Sequence, residues 1–178
     1  RIYLAHLAWA LFLLLAIGLY LLPGVAMATP APLQFAWAGP HGNQLVQLAS
    51  SGSAERQPLP TGLQTPLGSL WKLFVYAWLV DTGSQEPAYA CQGQNREEVY
   101  CCSAGASITR DQALVRSCGL YFEPQRLKLD PRQWRTYWQA RQAPAWLLDL
   151  AALQPQARVP VAELLQVPVL ELDVSRGS

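Results

Sequence analysis

The chain has 178 residues with a net charge of +1 and only 14% charged side chains, a balance that builds no basic surface and excludes nucleic acid as an expected partner. Seven Trp and a mean hydropathy of +0.09 suit a well-buried globular domain, where aromatic side chains are more often core than ligand platform.

The opening segment reads as a secretory leader. Arg1 and His6 flank an apolar run from Leu7 to Leu22, followed by Pro23-Gly24 and then Ala26-Met27-Ala28. A charged start, a hydrophobic stretch and a small-x-small site are its three parts, with cleavage expected after Ala28. An uncleaved signal anchor is the alternative, because spans of ~17 residues occur. Either way residues 1–28 are the membrane-directed part and residues 29–178 form the exported domain, expected in the periplasm. About 150 residues suffice for one compact domain with a real core.

After the spacer Thr29-Pro30-Ala31-Pro32, two short strands are predicted over Leu33–Trp37 and Gln44–Leu48, with a turn over Gly39–Asn43. A polar, proline-punctuated loop from Ser50 to Gln64 leads to a helix for which Thr65 is the expected cap and Pro66 the first position. From Leu67 to Val80 the chain reads LGSLWKLFVYAWLV, apolar on every face, which predicts a helix buried all round. Lys72 is the only charged side chain between Arg56 and Asp81. Burial disfavours its charged form, and a neutral amine beside a hydroxyl is a candidate general base. Ser69 stands three residues earlier, on the same helical face, in a first turn whose N–H groups can stabilise developing negative charge. The bland alternative is a lysine that snorkels to the surface.

Four cysteines, Cys91, Cys101, Cys102 and Cys118, predict disulfides in an exported chain. A bond between neighbours would be strained, so two pairings remain: Cys91 to either Cys101 or Cys102, and Cys118 to the other. No zinc or other cofactor is expected, because paired CxxC knuckles are missing and His41 is the one histidine after the leader. The next helix is predicted from Arg110 to Ser117, capped by Thr109 with Gln112 three residues on and stopped by Gly119. Beyond it, helical segments are expected over Pro131–Arg141, Trp146–Leu153 and Val161–Leu165, with a strand over Val167–Val174.

Two stretches carry a resemblance. TPLGSLWKLF around Ser69 is similar to the SxxK nucleophile segment of the penicillin-recognising serine transpeptidases and β-lactamases, and ALVRSCGLYF around Ser117 resembles their second motif. GSLWKLFVYAWL and SCGLYF also resemble the YfaQ-type secreted proteins of Gram-negative bacteria. The first resemblance implies an α/β (α+β) fold: N-terminal strands, a buried nucleophile helix headed by Ser69, and a helical lobe bearing Ser117. It further implies a site of Ser69 as nucleophile, Lys72 as base and Ser117 as proton relay, with a peptidoglycan stem peptide or a β-lactam as partner. Gly119 stands where that family has Asn, and no KTG or KSG follows Lys72 up to Ser178, which implies a domain incomplete at its C-terminus. The alternative function is a non-catalytic envelope module that binds or scaffolds other envelope proteins.

Overall fold

The structure, a computed structural model, describes residues 33–93, Glu98 and residues 101–167. The expected leader, and all but Val167 of the expected last strand, lie outside the described residues. Strands and helices are both present, so the described fold is α+β.

Strands β1 (Leu33–Gly39) and β2 (Gly42–Leu48) form an antiparallel hairpin in which Leu33 faces Leu48 and Gly39 faces Gly42. Only Pro40 and His41 lie between the strands. Gly42 carries a φ of +105°, a value that side chains rarely tolerate. Strand β3 (Ala54–Pro58) extends the sheet on the β2 side, within the stretch predicted as loop. Its sequence, AERQP, has no apolar alternation to signal a strand; charged residues and a proline are what an edge strand tolerates.

A second, two-stranded sheet pairs β4 (Gln64–Pro66) with β5 (Arg158–Pro160). This pairing overturns the expected cap: Thr65 faces Val159 in the sheet, and Leu67 takes the N-cap position without a side-chain hydrogen bond. The orphan N–H groups at this helix start find backbone partners instead, Leu67 N donating to Ala157 O (2.9 Å) and Gly68 N to Pro155 O (2.8 Å). A 3₁₀ turn over Gly68–Leu70 then runs into α1 (Trp71–Thr82), which ends at Gly83 in the left-handed conformation.

Helix α1 is the centre of the core. Trp71, Phe74, Val75, Ala77, Trp78 and Leu79 are all buried, which accounts for a sequence with no polar face. Against it packs α3 (Pro131–Ala140), with Pro131 at its first position and Asp130 as cap, Oδ1 accepting from Arg132 N and Gln133 N. Phe74 meets Trp138 edge-on at 5.9 Å, and the fully buried Trp134 donates Nε1–H to Leu147 O at 2.7 Å. The helix expected over Trp146–Leu153 is two 3₁₀ turns, Ala145–Leu147 and Leu150–Ala152. Asp149 breaks it, its carboxylate accepting from Ala151 N in place of a backbone carbonyl. A short α4 (Val161–Leu164) follows β5.

Candidate functional site

Helix α2 (Arg110–Val115) begins with a full capping box: Thr109 accepts from Gln112 N, and the Gln112 side chain accepts from Thr109 N. Its C-terminal end differs from the expectation. Gly119 is not the stop; Ser117 is, with a φ of +56°. Ser117 N donates to Leu114 O at 2.9 Å and Cys118 N to Ala113 O at 2.8 Å, the paired bonds of a Schellman motif. The left-handed position in that motif normally holds glycine. Here it holds a serine, at a cost of ~1–2 kcal/mol for a residue with a Cβ.

The turn aims Ser117 at the head of α1. Lys72 Nζ donates to Ser117 O at 2.7 Å, to Ser117 Oγ at 2.6 Å and to Ser69 Oγ at 3.2 Å, while Ser117 Oγ lies 3.2 Å from Ser69 Oγ and donates to it. All three predicted residues therefore converge. Lys72 is 7% exposed, whereas both serines are exposed. A buried amine thus lies beneath two solvent-facing hydroxyls, and it does not snorkel. Ser69 occupies the 3₁₀ turn just ahead of α1, one helical turn before Lys72, so the two side chains share a face.

Several fasteners hold this arrangement. Disulfides join Cys91 to Cys102 and Cys101 to Cys118, one of the two pairings open from sequence, and the second is adjacent in the chain to Ser117. Tyr76 of α1 donates to Asp111 of α2 at 2.9 Å, while Glu86 accepts from Arg110 at 3.0 Å and from Tyr121 at 2.8 Å. Burial first, then the bond to Glu86, pushes the Tyr121 hydroxyl up to about 12.

Sequence reasoning missed Glu98, a buried carboxylate inside the cysteine-rich loop. It accepts from the Tyr89 hydroxyl, from Gln92 N at 3.0 Å and from Gly93 N at 2.7 Å. The Tyr89 bond above all, helped by the two backbone N–H groups, holds its pKa below the ordinary value against the opposing effect of burial. Its backbone carbonyl accepts from Cys101 N and Cys102 N, so it organises the loop that carries both disulfides. An acid among closely spaced cysteines was the available signal.

Beside the serine pair lies a cleft of about 580 Å³. Trp71, Gly119 and Pro155 form part of its wall, each near Ser69 or Ser117 in the chain or hydrogen-bonded to a neighbour of Ser69. Among the described residues, no three His, Cys, Asp or Glu side chains converge as a metal site requires.

No solved structure matches the chain. The family described as "Predicted secreted protein (DUF2300)" matches residues 93–170, the part that contains Ser117 but not Ser69 or Lys72. That description agrees with export of the domain. The chain is also 56% identical over 149 residues to "Uncharacterized protein YfaQ" of Escherichia coli (strain K12), covering 84% of this chain and 27% of that protein. The chain thus spans about a quarter of the length of this curated relative. These findings correct the expected kinship with the penicillin-recognising transpeptidases and β-lactamases, since both matches are to other proteins and no structural relative supports that fold. The physical reason is that the resemblance rested on two short motifs. A serine and a lysine one helical turn apart, with a second serine at a helix end, form a local constellation that unrelated folds can share. The similarity shown is to a family described as predicted secreted and to an uncharacterised protein, and the YfaQ likeness expected from GSLWKLFVYAWL and SCGLYF is met by the relative itself.

Proposed function

We propose that this exported domain carries an acyl-serine site in the cell envelope, with Ser69 as nucleophile, Lys72 as general base and Ser117 as proton relay. The triangle of Ser69, Lys72 and Ser117 carries this reading: two hydroxyls and one amine within 2.6–3.2 Å of one another, the hydroxyls exposed and the amine buried. In its neutral form Lys72 accepts the Ser69 proton, directly or through Ser117 Oγ, as Ser69 Oγ bonds to a carbonyl carbon and the carbonyl π pair moves to oxygen. The negative charge on that oxygen develops at the head of α1, where the helix dipole stabilises it. Collapse of the tetrahedral adduct expels the leaving group, which takes the proton from Lys72 and leaves an ester on Ser69. Water then repeats the sequence and releases the acid.

A second reading is a non-catalytic envelope module in which the same triangle braces α1 against the end of α2. It is favoured by the way Lys72 spends two of its bonds on one residue, Ser117, through both its carbonyl and its hydroxyl. A fluorophosphonate probe separates the two, with adducts located by intact mass and peptide mapping. The enzyme reading requires labelling at Ser69 that is lost in Ser69→Ala and falls at least about tenfold in Lys72→Met, since general-base catalysis contributes ~10²–10⁴. Absence of a Ser69 adduct, or full labelling in Lys72→Met, would leave the brace.

A further inference from the structure

The cleft of about 580 Å³ is of ligand size, and its charges are arranged in one way. Its floor is apolar: Trp71, Leu129, Leu150 and Leu153 are buried there, with Leu120 half-buried beside them. Glu123, Lys128 and Asp149 contribute the charge, and all three are exposed, which puts them on the rim. Ser69, Lys72 and Ser117 do not line the cleft themselves, but its wall is built on the segments that carry them. Trp71 stands two residues after Ser69, Gly119 two residues after Ser117, and Pro155 accepts the N–H of Gly68. Gly119 presents no side chain at this wall. Leu70, next to Ser69, is 40% exposed, and Val115, two residues before Ser117, is 87% exposed.

We infer that the cleft is the acyl-group subsite of the Ser69 site, and that it takes an extended apolar acyl chain whose carbonyl lies at Ser69. This assignment rests on the acyl-serine reading for the direction of the chain. Gln125 and Gln154 join the charged residues of the lining, and both are exposed; a charged or strongly polar acyl group would lose its water against the four buried apolar side chains beneath them. An alkyl chain gains with each methylene it buries, about fourfold in binding per methylene. The rim charges keep the mouth hydrated and leave the floor to the chain.

The test is p-nitrophenyl ester turnover by the protein across acetyl, butanoyl, hexanoyl and octanoyl donors. Intrinsic ester reactivity changes little along that series, so the slope reports the cleft. The Ser69-dependent rate constant kcat/KM is expected to rise about three- to fourfold per methylene. The octanoyl-to-acetyl ratio should then fall at least tenfold in Leu120→Glu, and also in Leu150→Ala, with circular dichroism checking that each variant folds. A flat series, or a ratio that neither variant moves, overturns the subsite. If no ester shows Ser69-dependent turnover, the acyl-serine reading fails, and the cleft is decided on its own by titrating octanamide calorimetrically into Ser69→Ala protein. Saturable one-to-one binding weakened by Leu120→Glu sustains the apolar site, and absence of saturable binding removes it.

Discussion

Replacing Ser117 by glycine and, separately, by alanine tests the origin of the site's geometry. Ser117 sits at a φ of +56° in the Schellman turn that ends α2. A left-handed residue with a Cβ costs ~1–2 kcal/mol, a cost that glycine escapes. Glycine in turn loosens the unfolded chain by ~0.4–1 kcal/mol. The difference leaves Ser117→Gly more stable than Ser117→Ala by ~1 kcal/mol, the reverse of the ~1 kcal/mol preference for alanine inside a helix. The sign of the difference therefore reports the backbone conformation.

Both variants also lose the hydroxyl that accepts from Lys72 at 2.6 Å, although Ser117 O at 2.7 Å and Ser69 Oγ at 3.2 Å remain for the amine. A bond of this kind, made by a group able to carry charge, contributes ~1.5–3 kcal/mol. Relative to the native protein, Ser117→Ala should lose ~1.5–3 kcal/mol and Ser117→Gly ~0.5–2 kcal/mol. Urea melts resolve the pair, and a difference of ~1 kcal/mol separates their Tm values by about 2–4 °C. Alanine equal to or above glycine would refute the assignment of Ser117 as a left-handed turn residue. Neither variant should support proton relay, so the glycine variant would recover fold without chemistry.

Other perturbations probe the supports of the site. Breaking the Cys101–Cys118 disulfide with a Cys101→Ser/Cys118→Ser pair should cost ~3 kcal/mol, read by calorimetry, and lower Ser69 labelling by fluorophosphonate. Glu98 has a folded pKa below its ordinary 4.5, so the unfolded chain takes up its proton first as pH falls. Its contribution is full above pH 4.5 and lost as pH falls through the folded value, and the stability gap between native protein and Glu98→Gln should close over that window. Tyr121 runs the other way: its contribution is full below pH 10 and lost as pH rises through about 12, which alkaline melts of Tyr121→Phe should show. Trp134→Ala, at a fully buried site, should cost ~3–5 kcal/mol by urea denaturation.

Much of this was legible in the chain because periodicity and caps are local. The all-apolar stretch from Leu67 announced α1, Thr109 with Gln112 announced the start of α2, and the run from Pro131 announced α3. What stayed hidden depended on distant partners. Thr65 has every property of a cap, yet Val159, nearly a hundred residues on, claims it for a sheet, and carbonyls from Pro155 and Ala157 then do the capping. Strand β3 exists because β2 offers it an edge, not because AERQP prefers to be extended. The end of α2 was assigned to Gly119 because glycine is the usual left-handed residue, whereas the chain turns two residues earlier on a serine. The misassigned residue is the one that reaches Lys72. Local rules fail where tertiary contacts hold a residue in a conformation it does not prefer, and such places are enriched in functional sites.

The bonds of Lys72 to Ser69 and Ser117 give that failure a structural meaning. An amine in the middle of an apolar helix needs acceptors, and the turn just ahead of α1 supplies Ser69. Two more come from Ser117, whose carbonyl and hydroxyl both point at the amine because the residue is left-handed. A right-handed Ser117 would continue α2 and turn its carbonyl along the helix axis, away from Lys72. The Schellman bonds to Leu114 and Ala113 hold the turn from one side, and the disulfide at Cys118 holds it from the other. Position at the site is thus set by backbone and covalent bonds, while the side chains of Ser69 and Ser117 stay exposed and available. One of those fasteners is a disulfide, a bond that forms and persists in oxidising compartments, which agrees with a family described as predicted secreted.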